Sequence, residues 1–278
     1  MGRVTGRHRI VRIDGATSTE RMDTLAVEEP LEIRVAGRPL SVTMRTPGDD
    51  FDLVAGFLTT EGVTAGTGDL AAMRYCAGAN VEGENTYNVI DAALAAGVPP
   101  PAATLERNFY TTSSCGVCGK ASIEAIRTVT RWPVDADPLR VLRSVLTGLP
   151  DALRAGQAVF DKTGGLHAAG LFDAGGGLLC LREDVGRHNA VDKVIGWAAR
   201  EDALPLRGRV LMVSGRASFE LAQKALMAGI PVLAAVSAPS TLAVDLAQDA
   251  GMTLVGFLRG QTMNVYAGPE RVTGPPAS

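Results

Sequence analysis

Residues Val210 to Phe257 read VLMVSGRASFELAQKALMAGIPVLAAVSAPSTLAVDLAQDAGMTLVGF. Short apolar runs at Val210–Ser214, Pro231–Val236 and Thr253–Phe257 have the length of buried strands. Ser218–Met227 and Thr241–Ala250 between them carry apolar residues at helical spacing and open on Ser218 and Ser240. Strand–helix alternation of this kind predicts right-handed crossovers and a parallel component to the sheet. The stretch therefore sets the class: an α/β protein. Ligands in open sheets of this class sit at the carboxyl ends of the strands. That directs attention to Ser214-Gly215-Arg216-Ala217-Ser218, Ser237 to Thr241 and Phe257 to Asn264. In the last of these, Gly260 permits close backbone approach, Arg259 can meet a phosphate and Phe257 can stack on a base. The plainer alternative is an ordinary loop after the last strand.

Upstream, Leu166–Phe172 and Leu178–Arg182 flank Asp173-Ala174-Gly175-Gly176-Gly177, a hairpin signal, and Arg187–Arg200 is predicted helical. A helix is expected near 139–148, after the break at Pro133 to Pro138. In the first third, Pro30 to Met44 alternates about Gly37-Arg38-Pro39 and predicts a hairpin. A helix is expected at Asp52–Glu61 and two strands within 70–92; residues 1–26 offer one strand at Ile10–Ile13. Residues 95–103 read as an extended connector.

Ser113 to Lys120, SSCGVCGK, holds two of the four cysteines at C-x-x-C spacing. Glycine follows each cysteine, Lys120 closes the stretch, and Ala121–Ile126 has helical spacing. Backbone N–H groups, a helix dipole and a lysine all favour thiolate, the form that attacks sulfur or binds metal. Structural zinc would want four ligands, but there is no second pair and His8, His167 and His188 lie far apart. A zinc-dependent deaminase carries H-x-E and P-C-x-x-C. Here alanine, Ala169, follows His167 at the glutamate's place, no proline precedes Cys115, and the order is reversed. A change of Ala169→Glu is accordingly expected to be tolerated and to confer no deamination. His167 is read either as a site residue or as a hydrogen-bonded core histidine. Cys76 and Cys180 are read as packing residues.

Glu183 to Lys193, EDVGRHNAVDK, packs seven polar or charged side chains around a helix start. Arg187 and His188 there suit an anion; a solvated helix start capped by Asn189 or Asp184 is the alternative.

Composition bounds the rest. With 278 residues, 46% hydrophobic, 21% charged and 32 glycines, the chain can bury one large or two modest cores. A net charge of −3, from 27 basic and 30 acidic residues, gives no argument for nucleic acid. The basic start (Arg3, Arg7, Arg9, Arg12) lacks a signal peptide's apolar run, and nothing approaches the roughly 18 apolar residues of a membrane span. The expectation is a cytoplasmic protein with reduced thiols.

Together, SSCGVCGK (113–120), EDVGRHNAVDKVIG (183–196), SGRASFELAQKA (214–225), GIPVLAAVSAPSTLAVDLA (229–247) and FLRGQTMNVY (257–266) resemble the FdhD family of sulfur-carrier proteins. Residues 28–62 also look like that family's N-terminal part. The resemblance implies a cytidine-deaminase-like three-layer α/β/α core over 106–278 with a smaller α+β part at 1–105. It implies that a cysteine desulfurase loads a persulfide on Cys115, with Cys118 as helper. The sulfur then goes to molybdenum in bis-molybdopterin guanine dinucleotide, before insertion into formate dehydrogenase. The family's cofactor-contact segment maps onto Phe257, Leu258, Arg259, Gly260, Gln261 and Thr262, and the arginines and histidine at the helix starts, Arg187, His188 and Arg216, join it. It further implies a homodimer, guanine nucleotides as weak mimics of the cargo, and no zinc. A zinc hydrolase of the deaminase type and a non-catalytic binding chaperone remain the competing readings.

Overall fold

In the computed structural model, residues 3–76, 86–101 and 130–274 are described. Cys115, Cys118, Lys120 and the expected division near 105 lie outside them. The elements in chain order are β1 (Thr5–Asp14), β2 (Thr17–Ala26), β3 (Glu29–Val35), β4 (Arg38–Arg45), α1 (Asp50–Thr60), β5 (Leu70–Tyr75) and β6 (Val89–Leu94). Then follow β7 (Val141–Leu142), α2 (Arg143–Ala155), α3 (Phe160–Thr163), β8 (His167–Phe172), β9 (Leu178–Asp184), α4 (Arg187–Arg200) and β10 (Val210–Val213). The chain closes with α5 (Phe219–Met227), β11 (Val232–Ala235), α6 (Thr241–Asp249), β12 (Thr253–Arg259), β13 (Thr262–Ala267) and β14 (Val272–Thr273).

The alternating stretch forms the middle of a six-stranded sheet in the order β13-β12-β11-β10-β8-β9. As expected, β10, β11 and β12 are parallel, and their residues are almost all buried because helices cover both faces. Antiparallel β8 and β13 flank them. On one face Leu211, Val213, Leu233, Ala235 and Leu254 pack with Ala190, Val194 and Ile195 of α4, Leu221 and Ala225 of α5, and Ala243 and Ala247 of α6. On the other, Val210, Met212, Val232, Ala234 and Val255 meet Leu146, Leu149 and Leu153 of α2. The mixed α/β layering is therefore as the sequence indicates. A second sheet, β4-β3-β6-β5, packs Leu31, Ile33 and Ile90 against Leu53, Val54 and Leu58 of α1 in a core of its own.

Four elements depart from expectation. Residues 5–26 make a full hairpin, β1 with β2, although Thr17–Ala26 is too polar to announce a strand. The helix near 139–148 runs instead over Arg143–Ala155, because Val141 is taken up in a ladder with Val272. It continues through Pro150, since Leu146, Leu149 and Leu153 keep one face buried. Residues 160–163 add the short helix α3. Finally, Phe257–Asn264 is no open loop: β12 turns back into β13, with Arg259 opposite Thr262 and Gly260 at φ 52° in the turn. Met263 and Val265 of β13 pack on the core and so favour a strand there.

The two cores are joined by α1 and α4. Gly56 and Gly196 sit where the helices cross backbone to backbone. A Cβ on Gly56 would run into the Asp192 carbonyl, and one on Gly196 into that of Asp52. Around the crossing, Lys224 Nζ reaches both Asp192 carboxylate oxygens at 2.9 Å and Thr60 Oγ1 at 2.9 Å. Asp52 takes Arg182 at 2.8 Å and also Arg200.

Candidate functional site

The carboxyl ends of β10, β11 and β12 come out on one edge, and the loops after them interlock. The Ala168 N–H donates to Ser214 Oγ at 2.9 Å, and the Phe257 N–H donates to the Ser237 carbonyl at 3.2 Å. Ser240 is a true N-cap, its Oγ accepting from the Ala243 N–H; Ser218 makes no such bond to its own helix. Because β8 is antiparallel to β10 and paired with β9, the start of β8 (His167) and the end of β9 (Asp184) arrive at this same edge. The first turn of α4, with Arg187 and His188, follows two residues later.

The Glu183–Lys193 motif divides by role. Asp184 is wholly buried and pairs with Lys193, 1% exposed, at 2.7 Å. Its carboxylate also accepts from the N–H groups of Gly186 (2.8 Å) and Thr46 (3.2 Å) and from Asn189 Nδ2 (3.0 Å). Lys193 donates to the Thr46 carbonyl, and Asn189 to that of Met44. These groups are thus neither solvated nor ligand-facing. They bolt β4 to the start of α4, which corrects both readings for them. Glu183 accepts from the N–H groups of Val159 (2.9 Å) and Phe160 (2.8 Å), fixing the start of α3. Only Arg187 and His188 are left for the edge. Arg187 has its Nε buried without a hydrogen bond among the described residues. His188 Nε2 faces Glu220 Oε2 at 3.5 Å and holds that carboxyl down to about 2.

His167 is half-buried at this edge, with its ring against Gly215. Burial lowers its pKa first, and the charges of Arg187 and His188 lower it further, so the ring is neutral at physiological pH. Ala169, two residues on, is fully buried between β8 and α4. A carboxylate there would be desolvated without a partner, so Ala169→Glu is destabilising rather than tolerated. Cys180 is buried in the core, its thiol pushed up to about 12 by burial, as befits a packing residue. Cys76 is partly exposed at the end of β5.

A cleft of about 630 Å³ opens at the edge. From the strand ends it takes His167, Ser214, Val236, Leu258, Arg259 and Gly260. Arg259 is held there by a 3.0 Å bond from its Nε to the Val236 carbonyl, which leaves the outer guanidinium nitrogens for an anion. Of the other expected residues, Phe257, Gln261 and Thr262 are exposed on the hairpin beside the cleft, and Arg187, His188 and Arg216 stand at helix starts along the edge without lining it. Phe257 adopts φ 50°, a left-handed conformation rare for an aromatic, in the bulge of the hairpin. Asp151, Arg154, Gln157 and Phe160 also line the cleft. The sequence carries no periodic or motif signal for them; only the packing of α2 and α3 brings them in. Among the described residues, no helix is long and apolar enough to cross a membrane.

These features define a class: a mixed α/β protein with an arginine-bearing cleft at the carboxyl edge of its sheet. The model of the FdhD/NarQ family matches residues 26–273, and the chain belongs to that family. It is 66% identical over 274 residues to the sulfur carrier protein FdhD of Streptomyces coelicolor, covering 98% of this chain and 97% of that protein. It is 59% identical over 277 residues to the sulfur carrier protein FdhD of Mycobacterium tuberculosis, covering 98% and 100%. Its fold matches the crystal structure of a protein from Desulfotalea psychrophila described as a formate dehydrogenase accessory protein. That match has TM-score 0.75 and 24% identity, and covers 98% of this chain and all of that one.

Proposed function

We propose that this chain is a sulfurtransferase that carries sulfur from a cysteine desulfurase to the molybdenum cofactor of a formate dehydrogenase. Cys115 is the carrier. Its thiolate attacks the outer sulfur of the desulfurase persulfide; the new S–S bond forms on Cys115, and the desulfurase cysteine leaves as thiolate. Cys118 then attacks Cys115 Sγ, releasing hydrosulfide toward the cargo and leaving a Cys115–Cys118 disulfide, so that the two thiols supply the two electrons. A dithiol reductant of the thioredoxin class resets the pair. The cargo, Mo-bis-molybdopterin guanine dinucleotide, is anionic. Arg259 with the Phe257–Thr262 hairpin meets its nucleotide end, and Arg187, His188 and Arg216 meet phosphates along the edge.

The observation that carries this reading is the cleft with Arg259 tethered in its wall, in a chain whose relatives are sulfur carriers over nearly their whole length. The site is read as free of zinc, because the sequence offers no second cysteine pair and Ala169 stands where a zinc deaminase carries its glutamate. Mass spectrometry of the protein after incubation with cysteine and a desulfurase tests the proposal. A gain of one sulfur on the peptide containing Cys115 is expected, together with loss of formate dehydrogenase maturation in Cys115→Ala. Maturation that survives this change overturns the assignment.

A further inference from the structure

The β1–β2 hairpin contributes to neither core. Its sheet has two strands, so the outer edge of β1 has no partner strand among the described residues. On the other side, β2 runs beside α3, whose Phe160 lines the cleft. We propose that the outer edge of β1 docks an extended acidic segment of the protein that receives the cargo, the apo formate dehydrogenase; this rests on the cleft being the cargo site. The register shows which groups the edge offers. The Val27 N–H donates to the Val4 carbonyl, and the pairing runs without a shift from Thr5 opposite Ala26 to Asp14 opposite Thr17. Bonded and non-bonded pairs alternate in an antiparallel ladder. The even residues of β1 therefore bond to β2, and Thr5, Arg7, Arg9, Val11 and Ile13 turn their N–H and C=O groups outward.

The same odd residues share one face with Met22, which stands opposite Arg9. That face gathers three large apolar side chains: Val11 is 60% exposed, Ile13 72% and Met22 47%. An edge protected against aggregation is short, bulged or purely charged; ten residues with three bare apolar side chains make a docking edge. Charge selects the partner. Residues 3–13 hold Arg3, Arg7, Arg9 and Arg12 and no carboxylate. Glu20 takes Arg9 at 3.4 Å, whereas Arg7 and Arg12 make no ion pair among the described residues. A strand added here gains main-chain bonds along the edge, packs its apolar residues on Val11 and Ile13, and meets the two arginines with carboxylates. A second copy of β1 would instead set arginines against arginines. A partner held on this edge stands next to the cleft from which the cargo must leave.

Biolayer interferometry of the immobilised full chain with apo formate dehydrogenase tests the edge. Val11→Pro removes an outward N–H and no bond between β1 and β2, so it blocks the edge and spares the hairpin. The double change Arg7→Glu/Arg12→Glu reverses the charge. Each variant should bind the apoenzyme about tenfold more weakly than the wild type. Added salt should weaken the wild type more than the charge-reversed variant. GDP affinity and the gain of one sulfur on the peptide containing Cys115 should stay as in the wild type, which separates the edge from the cleft and from a damaged fold. Unchanged binding of the apoenzyme in both variants overturns the proposal. So does a wild type that gains sulfur but does not bind the apoenzyme, and the sulfurtransferase reading then stands. Variants that lose the desulfurase, vesicles of phosphatidylglycerol or a second copy, while keeping the apoenzyme, assign the edge elsewhere and also overturn it. A wild type that gains no sulfur overturns the sulfurtransferase reading and, with it, the partner named here.

Discussion

The junction between the two cores and the carboxyl edge are both rich in charge, and they use it in opposite ways. At the junction every charge is answered: Asp184 by Lys193, Asp192 by Lys224, Asp52 by Arg182 and Arg200. The helices there touch backbone to backbone at Gly56 and Gly196. At the edge, Arg187 Nε and Ser218 Oγ are buried without a hydrogen bond among the described residues, Phe257 is held in a strained conformation, and His167 is kept uncharged. Satisfied burial gives rigidity, whereas unanswered polarity is the mark of a surface that awaits a ligand. The same α4 serves both: its first turn faces the edge, and the residues behind it face the junction.

The strongest test of this contrast is Asp184→Ala, which leaves the Lys193 ammonium buried and unpaired. Unfolding in urea should show a loss of about 3–5 kcal/mol, and the double change Asp184→Ala/Lys193→Met should recover much of it. A loss below about 1 kcal/mol would mean that the pair is not the clamp described. Next comes Gly196→Ala, whose methyl must push the helices apart; a loss of about 3 kcal/mol is expected. Arg259→Ala should leave the unfolding midpoint where it is and lower GDP affinity about tenfold to a hundredfold, in keeping with one or two charge-assisted bonds. A shifted midpoint with intact affinity would assign Arg259 to the scaffold.

The smallest effect concerns pH. His167 binds its proton less readily folded than unfolded, so stability is full above the unfolded value near 6.5 and declines as pH falls below it. In His167→Gln the fall in melting temperature between pH 7.5 and 5.5 should be shallower than in the wild type, by the equivalent of about 1 kcal/mol or less. An identical slope in the two proteins would count against a neutral His167.

What the sequence made legible was local. The β10–α5–β11–α6–β12 run, the β3–β4 and β8–β9 hairpins and α4 each announce themselves by period and punctuation within a dozen residues. β2 was hidden because Thr17–Ala26 pairs with β1 while mostly exposed, which needs no apolar alternation. β13 was hidden because the glycine that makes its turn also marks an open loop. At the edge, Arg259 and the helix-start residues were legible from their places after strands. Asp184 and Lys193 were not, for a charged helix start reads as solvated until Thr46, 138 residues upstream of Asp184, is seen to cover it. Gln157 was hidden for the same reason: only tertiary packing brings it into the cleft.

The junction also has a consequence for the chain while it is being made. Thr60 of α1 bonds Asp192, 132 residues later, and Lys224, 164 residues later. The α1 face that meets Gly196 therefore has no cover until α4 has left the ribosome. At about 5–20 residues per second that is a wait of roughly 7–30 s. Over that interval the first core exists as a half-finished object with a bare helix face and lone carboxylates at Asp52. Contacts of such long sequence separation close slowly. The nascent chain is thus most exposed to aggregation or proteolysis during this window, and a ribosome-associated chaperone would find its binding surface on α1.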